Sequence, residues 1–134
     1  MKTLLVVEDD ASVLTLMGHW LKQYRLLQAT TAEQALQLSS ECGSQIALLI
    51  TDVRLATRSG IQVALRLRAE IPDLPVILMS GYPESAWRAL DAADLRRLGT
   101  HSVTILDKPL QAQVLASRVA ELIGESTSEV ARAT

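Results

Sequence analysis

Five short apolar runs stand out along the chain: Thr3–Val7, Leu26–Thr30, Ile46–Thr51, Pro75–Met79 and Ser102–Leu106. Between them, apolar residues recur every three or four positions. The first, third and fourth runs are apolar on both faces, which predicts strands in the middle of a parallel sheet. Helical spacing follows in Val13, Leu16, Met17, Trp20, Leu21 and Tyr24, and again in Ala32, Ala35, Leu36 and Leu38. A third helix carries Ile61, Ala64, Leu65 and Ile71 and stops before Pro72. A fourth opens near Pro83 with Trp87, Leu90, Ala93 or Asp94, and Leu98 on one face, and breaks near Gly99. The last carries Val114, Leu115, Val119, Leu122 and Ile123 and ends at Gly124. Thr31 with Gln34 fits a capping box at the start of the second helix.

Strand and helix thus alternate five times. The pattern predicts an α/β fold, a flavodoxin-like five-stranded parallel sheet of order 2-1-3-4-5, with right-handed crossovers and helices on both faces. A chain of 134 residues is long enough for one domain with a real core, here 1–124, and the small polar residues 125–134 are expected to fray.

Composition narrows the function more than the fold. Nearly half the chain is apolar and the net charge is −2, which argues against disorder and against a broad nucleic-acid surface. Thirteen Lys and Arg spread among fifteen Asp and Glu make no basic stripe. The single cysteine, Cys42, precludes a disulfide within the chain and a cysteine-based zinc site, and His19 and His101 lack ligand spacing. No apolar stretch reaches the length of a signal-peptide core or a membrane span, so a cytoplasmic protein acting by protein contact is the expectation.

In a parallel sheet, ligands bind beyond the carboxyl ends of the strands. Strand one ends in Glu8-Asp9-Asp10, strand three in Asp52, strand four in Ser80-Gly81 and strand five in Asp107-Lys108-Pro109. One of the first three acids can cap the following helix, but capping does not require all of them. Carboxylates packed at one edge repel unless a positive group intervenes. Magnesium fits, because it takes oxygen ligands and pairs with phosphate. Lys108 adds a point charge suited to phosphate, and the Ser80 hydroxyl and backbone N–H groups near Gly81 can donate to phosphoryl oxygens. These are the parts of a phosphoryl-transfer site with Asp52 as nucleophile.

The runs Val6-Val7-Glu8-Asp9-Asp10, Ile50-Thr51-Asp52, Gly60, Met79-Ser80-Gly81-Tyr82 and Asp107-Lys108-Pro109 together resemble the receiver domain of two-component response regulators, from Lys2 to about Ile123. The Leu78–Tyr82 run is most like receivers attached to hybrid sensor kinases. The resemblance implies that Asp52 accepts a phosphoryl group from a histidine kinase or a histidine phosphotransfer protein. It implies that Glu8, Asp9, Asp52 and the backbone carbonyl of Arg54 hold magnesium, and that Ser80 and Lys108 contact the phosphoryl group. It also implies output to a downstream protein and a candidate homodimer surface on the fourth helix, fifth strand and fifth helix.

Three positions depart from the family. The loop after Asp52 reads Leu55-Ala56 where Met-Pro is common. Ile105 occupies a position that is usually aromatic and serves as a rotameric switch. The Ser80–Lys108 segment is longer than usual, and the surplus is expected in the fourth helix or in 96–102. Arg54 and Tyr82 are expected to flank the approach of water to Asp52 and slow loss of the phosphoryl group.

Other readings fit less well. A phosphoaspartyl hydrolase of the haloacid dehalogenase type calls for a second aspartate two positions after the nucleophile, where Arg54 stands. A nucleotide-binding protein calls for a glycine-rich loop where Glu8-Asp9-Asp10 stands. The alternative within the family is a degenerate receiver that docks partners without phosphorylation. Ile105 favours that alternative and the intact acid set disfavours it.

Overall fold

A computed structural model describes residues 1–83 and 86–124, so the expected fraying of 125–134 lies outside the described residues. The elements run β1 (Thr3–Val7), α1 (Ala11–Trp20), β2 (Arg25–Ala29), α2 (Ala32–Cys42), β3 (Ile46–Asp52), α3 (Gly60–Glu70), β4 (Val76–Ser80), α4 (Ala89–Leu98), β5 (Val103–Asp107) and α5 (Ala112–Leu122). The sheet order is β2-β1-β3-β4-β5 and every pairing is parallel. Both match the expectation from the alternating pattern. β1 and β4 are buried at every residue, whereas β2 and β5 are partly exposed, as befits edge strands.

Successive strand residues point to opposite faces, and this splits the core in two. Leu4, Val6, Leu48, Ile50, Ile77 and Met79 pack with Met17 and Leu21 from the α1 side and Leu115 and Val119 of α5. Leu5, Val7, Leu49 and Leu78 pack with Ala35 of α2, Ile61 and Leu67 of α3 and Leu98 of α4 on the other side. Burial of a single large aliphatic side chain contributes about 1.5–3 kcal/mol, so these two layers dominate stability.

Local sequence explains the helix starts. Asp10 caps α1, accepting from Ser12 N at 2.9 Å and Val13 N at 3.4 Å. Of the three leading acids, therefore, Asp10 caps the helix, and Glu8 and Asp9 have other roles. Thr31 Oγ1 accepts from Gln34 N at 3.0 Å, and the Gln34 side chain reaches back to Thr30 N at 2.9 Å, one residue earlier than a standard capping box. Ser59 caps α3 through Ile61 N and Gln62 N.

The fourth helix departs from expectation. It begins at Ala89, so Pro83 and Trp87 precede it. Its buried face is Asp91, Asp94 and Leu98, and Leu90 is 61% exposed. Asp94 and Leu98 lie on the expected face, but Asp91 rather than Leu90 completes it, an aspartate that apolar spacing does not pick out. Asp94 is satisfied by Gln62 Nε2 at 3.4 Å and Arg97 Nη1 at 3.3 Å, which permits its burial. α4 is 10 residues long, and Arg68 of α3 pins its C-terminal turn through bonds to Leu98 O (3.2 Å) and His101 O (2.6 Å). The link between β4 and α4 carries Tyr82 and Trp87.

Candidate functional site

Asp52 is the last residue of β3, with β1 on one side and β4 on the other. Backbone bonds hold the neighbouring strand ends level with it. Glu8 N donates to Ala29 O (3.0 Å), Val53 N to Met79 O (2.9 Å) and Lys108 N to Ser80 O (2.8 Å). The Lys108–Pro109 peptide is cis. Gly60, at the start of α3, lies so close to this edge that a Cβ there would overlap the Asp52 carbonyl oxygen and the Thr51 hydroxyl. Only glycine lets α3 approach the strand end at this distance.

The edge gathers charge. Glu8 is fully buried and Asp52 is nearly so. Lys108 Nζ sits 2.9 Å from Glu8 Oε2 and 2.5 Å from Asp52 Oδ1. Glu8 Oε1 also accepts from Asp10 N at 3.1 Å. Among the described residues, neither buried oxygen of Asp52 accepts a well-aligned hydrogen bond, and its close contact with Lys108 is an ion pair. Burial, then the neighbouring Glu8 carboxylate, push the Asp52 carboxyl from 3.8 up to about 7, with Lys108 opposing. Burial by itself would lower the Lys108 ammonium, but Asp52 and Glu8 outweigh it and raise the group above its ordinary value.

Glu8, Asp9 and Asp52 each offer an oxygen within 4.8 Å of the others. Every donor is a hard oxygen, and two of those oxygens are buried without a hydrogen bond. That set fits Mg2+ and lacks the nitrogen and sulfur ligands zinc favours. Bonds from Gly60 N to Val53 O (2.8 Å) and from Leu55 N to Arg58 O (3.0 Å) flank an Arg54–Ser59 bridge. Neither of these bonds uses the Arg54 carbonyl.

A cavity of about 320 Å³ opens over Asp52. Asp9, Lys108, Ser80, Tyr82, Arg54 and Trp87 line it. The Arg54 guanidinium stacks over the Tyr82 ring at 4.7 Å and donates to Ala86 O at 3.3 Å. Arg54 and Tyr82 therefore both stand at the cavity, as expected. The Ser80 hydroxyl does not face the acids freely: it donates to Tyr82 O at 2.5 Å and accepts from Tyr82 N at 3.1 Å and Trp87 Nε1 at 3.2 Å.

A model of the response regulator receiver domain family matches residues 4–120. The chain belongs to that family. This receiver is 28% identical over 123 residues to the sensor kinase CckA of Brucella abortus, covering 90% of this chain and 12% of CckA. It is 30% identical over 127 residues to the transcriptional regulatory protein ZraR of Escherichia coli K12, covering 93% of this chain and 27% of ZraR. It thus spans less than a third of either relative. Among solved structures, the receiver domain of the hybrid histidine kinase CckA superposes with a TM-score of 0.73 at 28% identity, covering 90% of this chain and 98% of that one. A receiver domain protein from Clostridium thermocellum gives a TM-score of 0.79 at 24% identity, covering 92% and 95%, and supports the fold.

In this receiver, Glu8, Asp9, Asp52, Ser80, Lys108 and Arg54, all singled out from the sequence, converge on one edge. Trp87 was missed as a lining residue. Its helical spacing with Leu90 drew it into a helix face, whereas it lies in the link and turns its indole N–H toward Ser80. A tryptophan seven positions after a strand-end serine is the signal that could have found it. Ile105 is half-buried beside a cavity of about 500 Å³ that Leu95, Arg96 and Val103 also line.

Proposed function

We propose that this receiver accepts a phosphoryl group on Asp52 from a phosphohistidine, with Mg2+ bound at Glu8, Asp9, Asp52 and the Arg54 carbonyl, and signals by protein contact in the cytoplasm. The observation that carries the reading is the pair of buried, unbonded Asp52 oxygens beside Lys108 and two further acids. An Asp52 oxygen attacks the phosphorus, the new O–P bond forms as the N–P bond of the donor breaks, and the imidazole nitrogen keeps the electron pair. Lys108 turns from the carboxylate to the incoming phosphoryl oxygens and stabilises their charge. Glu8 holds the Lys108 ammonium in place throughout. A bound magnesium supplies positive charge to the transferring group and to the acids around it. The donor is a histidine kinase or a histidine phosphotransfer protein, and the surface of α4, β5 and α5 is the output face.

The test is incubation with acetyl phosphate, with and without Mg2+, followed by mapping of the adduct. A single magnesium-dependent phosphoryl group on Asp52, lost in Asp52→Asn, is expected. An adduct elsewhere, or none with the metal present, overturns the reading.

A further inference from the structure

A serine hydroxyl has one proton to give and two lone pairs to offer. All three positions of Ser80 are occupied: its proton lies on Tyr82 O, and its oxygen receives Tyr82 N and Trp87 Nε1. The hydroxyl therefore cannot donate to a phosphoryl group on Asp52 until its bond to Tyr82 O breaks. That break leaves a carbonyl without its donor. Trp87 Nε1 already stands 3.3 Å from the same carbonyl, sharing its proton between Ser80 Oγ and Tyr82 O. The indole is buried in the core, so its ring is held while its N–H chooses between two acceptors.

We propose that Trp87 is a positioning residue for Ser80: its indole N–H passes from the Ser80 hydroxyl to the Tyr82 carbonyl when the hydroxyl turns to the phosphoryl group. This rests on phosphorylation at Asp52. The two states are not equally dependent on Trp87. At rest, Ser80 and Tyr82 satisfy each other through two bonds, and the indole adds a third. Once Ser80 has turned away, the indole is, among the described residues, the side-chain donor left within reach of Tyr82 O. Loss of the indole N–H therefore weakens the engaged state more than the resting one. Tyr82 also carries the Arg54 guanidinium on its ring, so the exchange at its carbonyl is felt at the mouth of the cavity.

The test is binding of beryllofluoride with Mg2+, a mimic of the phosphoryl group, to the whole protein. Trp87→Phe keeps an aromatic ring and removes the N–H. It is expected to weaken beryllofluoride binding roughly five- to tenfold, the scale of one hydrogen bond. In a Ser80→Ala background, where no hydroxyl has to turn, Trp87→Phe is expected to have no further effect. A purely structural role would weaken binding equally in both backgrounds and overturn the proposal. A Trp20→Phe protein, with Trp87 as its sole tryptophan, gives a second readout that needs no change at position 87. Its emission is expected to shift on beryllofluoride addition and to stay constant when Ser80→Ala is added. An emission unchanged in the presence of Ser80, or Trp87→Phe binding as tightly as wild type, overturns the role of Trp87 alone. Failure of the wild type itself to bind beryllofluoride with Mg2+ overturns the phosphoacceptor reading and this inference together.

Discussion

Two groups of residues around Asp52 are held by different interactions. In one, Glu8, Asp52 and Lys108 are ionisable, mostly buried and ion-paired, carried by strand ends that backbone bonds hold level. In the other, Ser80, Tyr82 and Trp87 exchange neutral hydrogen bonds, and two of the three, Tyr82 and Trp87, lie between β4 and α4. Breaking a buried ion pair by removing one partner is strongly destabilising, about 3–5 kcal/mol, whereas a neutral hydrogen bond is worth about 1 kcal/mol net. The charged set is thereby suited to hold geometry for chemistry, and the neutral set to change geometry after it. Arg54 belongs to both, since its backbone adjoins the acids while its side chain stacks on Tyr82.

The largest effects are expected in the charged set. Asp52→Asn should abolish phosphorylation by acetyl phosphate, read as loss of the adduct by intact mass. Lys108→Met leaves two buried carboxylates facing each other and should destabilise the metal-free protein by about 3 kcal/mol near pH 8, measured by urea unfolding. The loss should shrink at pH 5, where the Asp52 carboxyl, raised to about 7, takes up a proton.

A pH effect at Asp52 follows, read as a difference between wild type and variant. The folded carboxyl is raised from 3.8 to about 7, so the folded state binds this proton more tightly than the unfolded chain. Its contribution is fully present below about pH 4, declines as pH rises to about 7, and stays low above that, a span of about 4 kcal/mol. Metal-free wild type should lose stability across that window relative to Asp52→Asn. At pH 8 the variant should be the more stable by about 2 kcal/mol, after allowance for its lost pairing with Lys108. A parallel pH dependence in the two proteins would show that Asp52 is not the titrating group.

The smallest effects belong to the neutral set. Arg54→Ala and Tyr82→Ala should each speed loss of the phosphoryl group by roughly two- to fivefold, the scale of an exposed cation–π contact. The double variant should be little faster than either single one, because each substitution already dissolves the stack. Rates equal to wild type in all three would mean that neither residue shields Asp52 from water.

The strand order, the burial of β1, β3 and β4, and the convergence of Glu8, Asp52, Ser80 and Lys108 were legible in the sequence because they follow from one rule. Apolar runs on both faces make parallel strands, and parallel strands carry their C-terminal residues to one edge. Residue type then names the chemistry. The start of α4 and the inward place of Asp91 were not legible, because a hydrophobic count cannot pick out a buried aspartate or see a partner such as Gln62 for Asp94. Nor could the sequence show that the Ser80 hydroxyl is occupied or that Asp52 lacks hydrogen bonds. By itself, then, the sequence determined which side chains arrive at the edge, since that depends on local periodicity and strand polarity. The tertiary structure alone decided how they are engaged there. Distances of a few ångströms between Lys108 and the acids, or between Trp87 and Ser80, arise from packing among segments far apart in the chain.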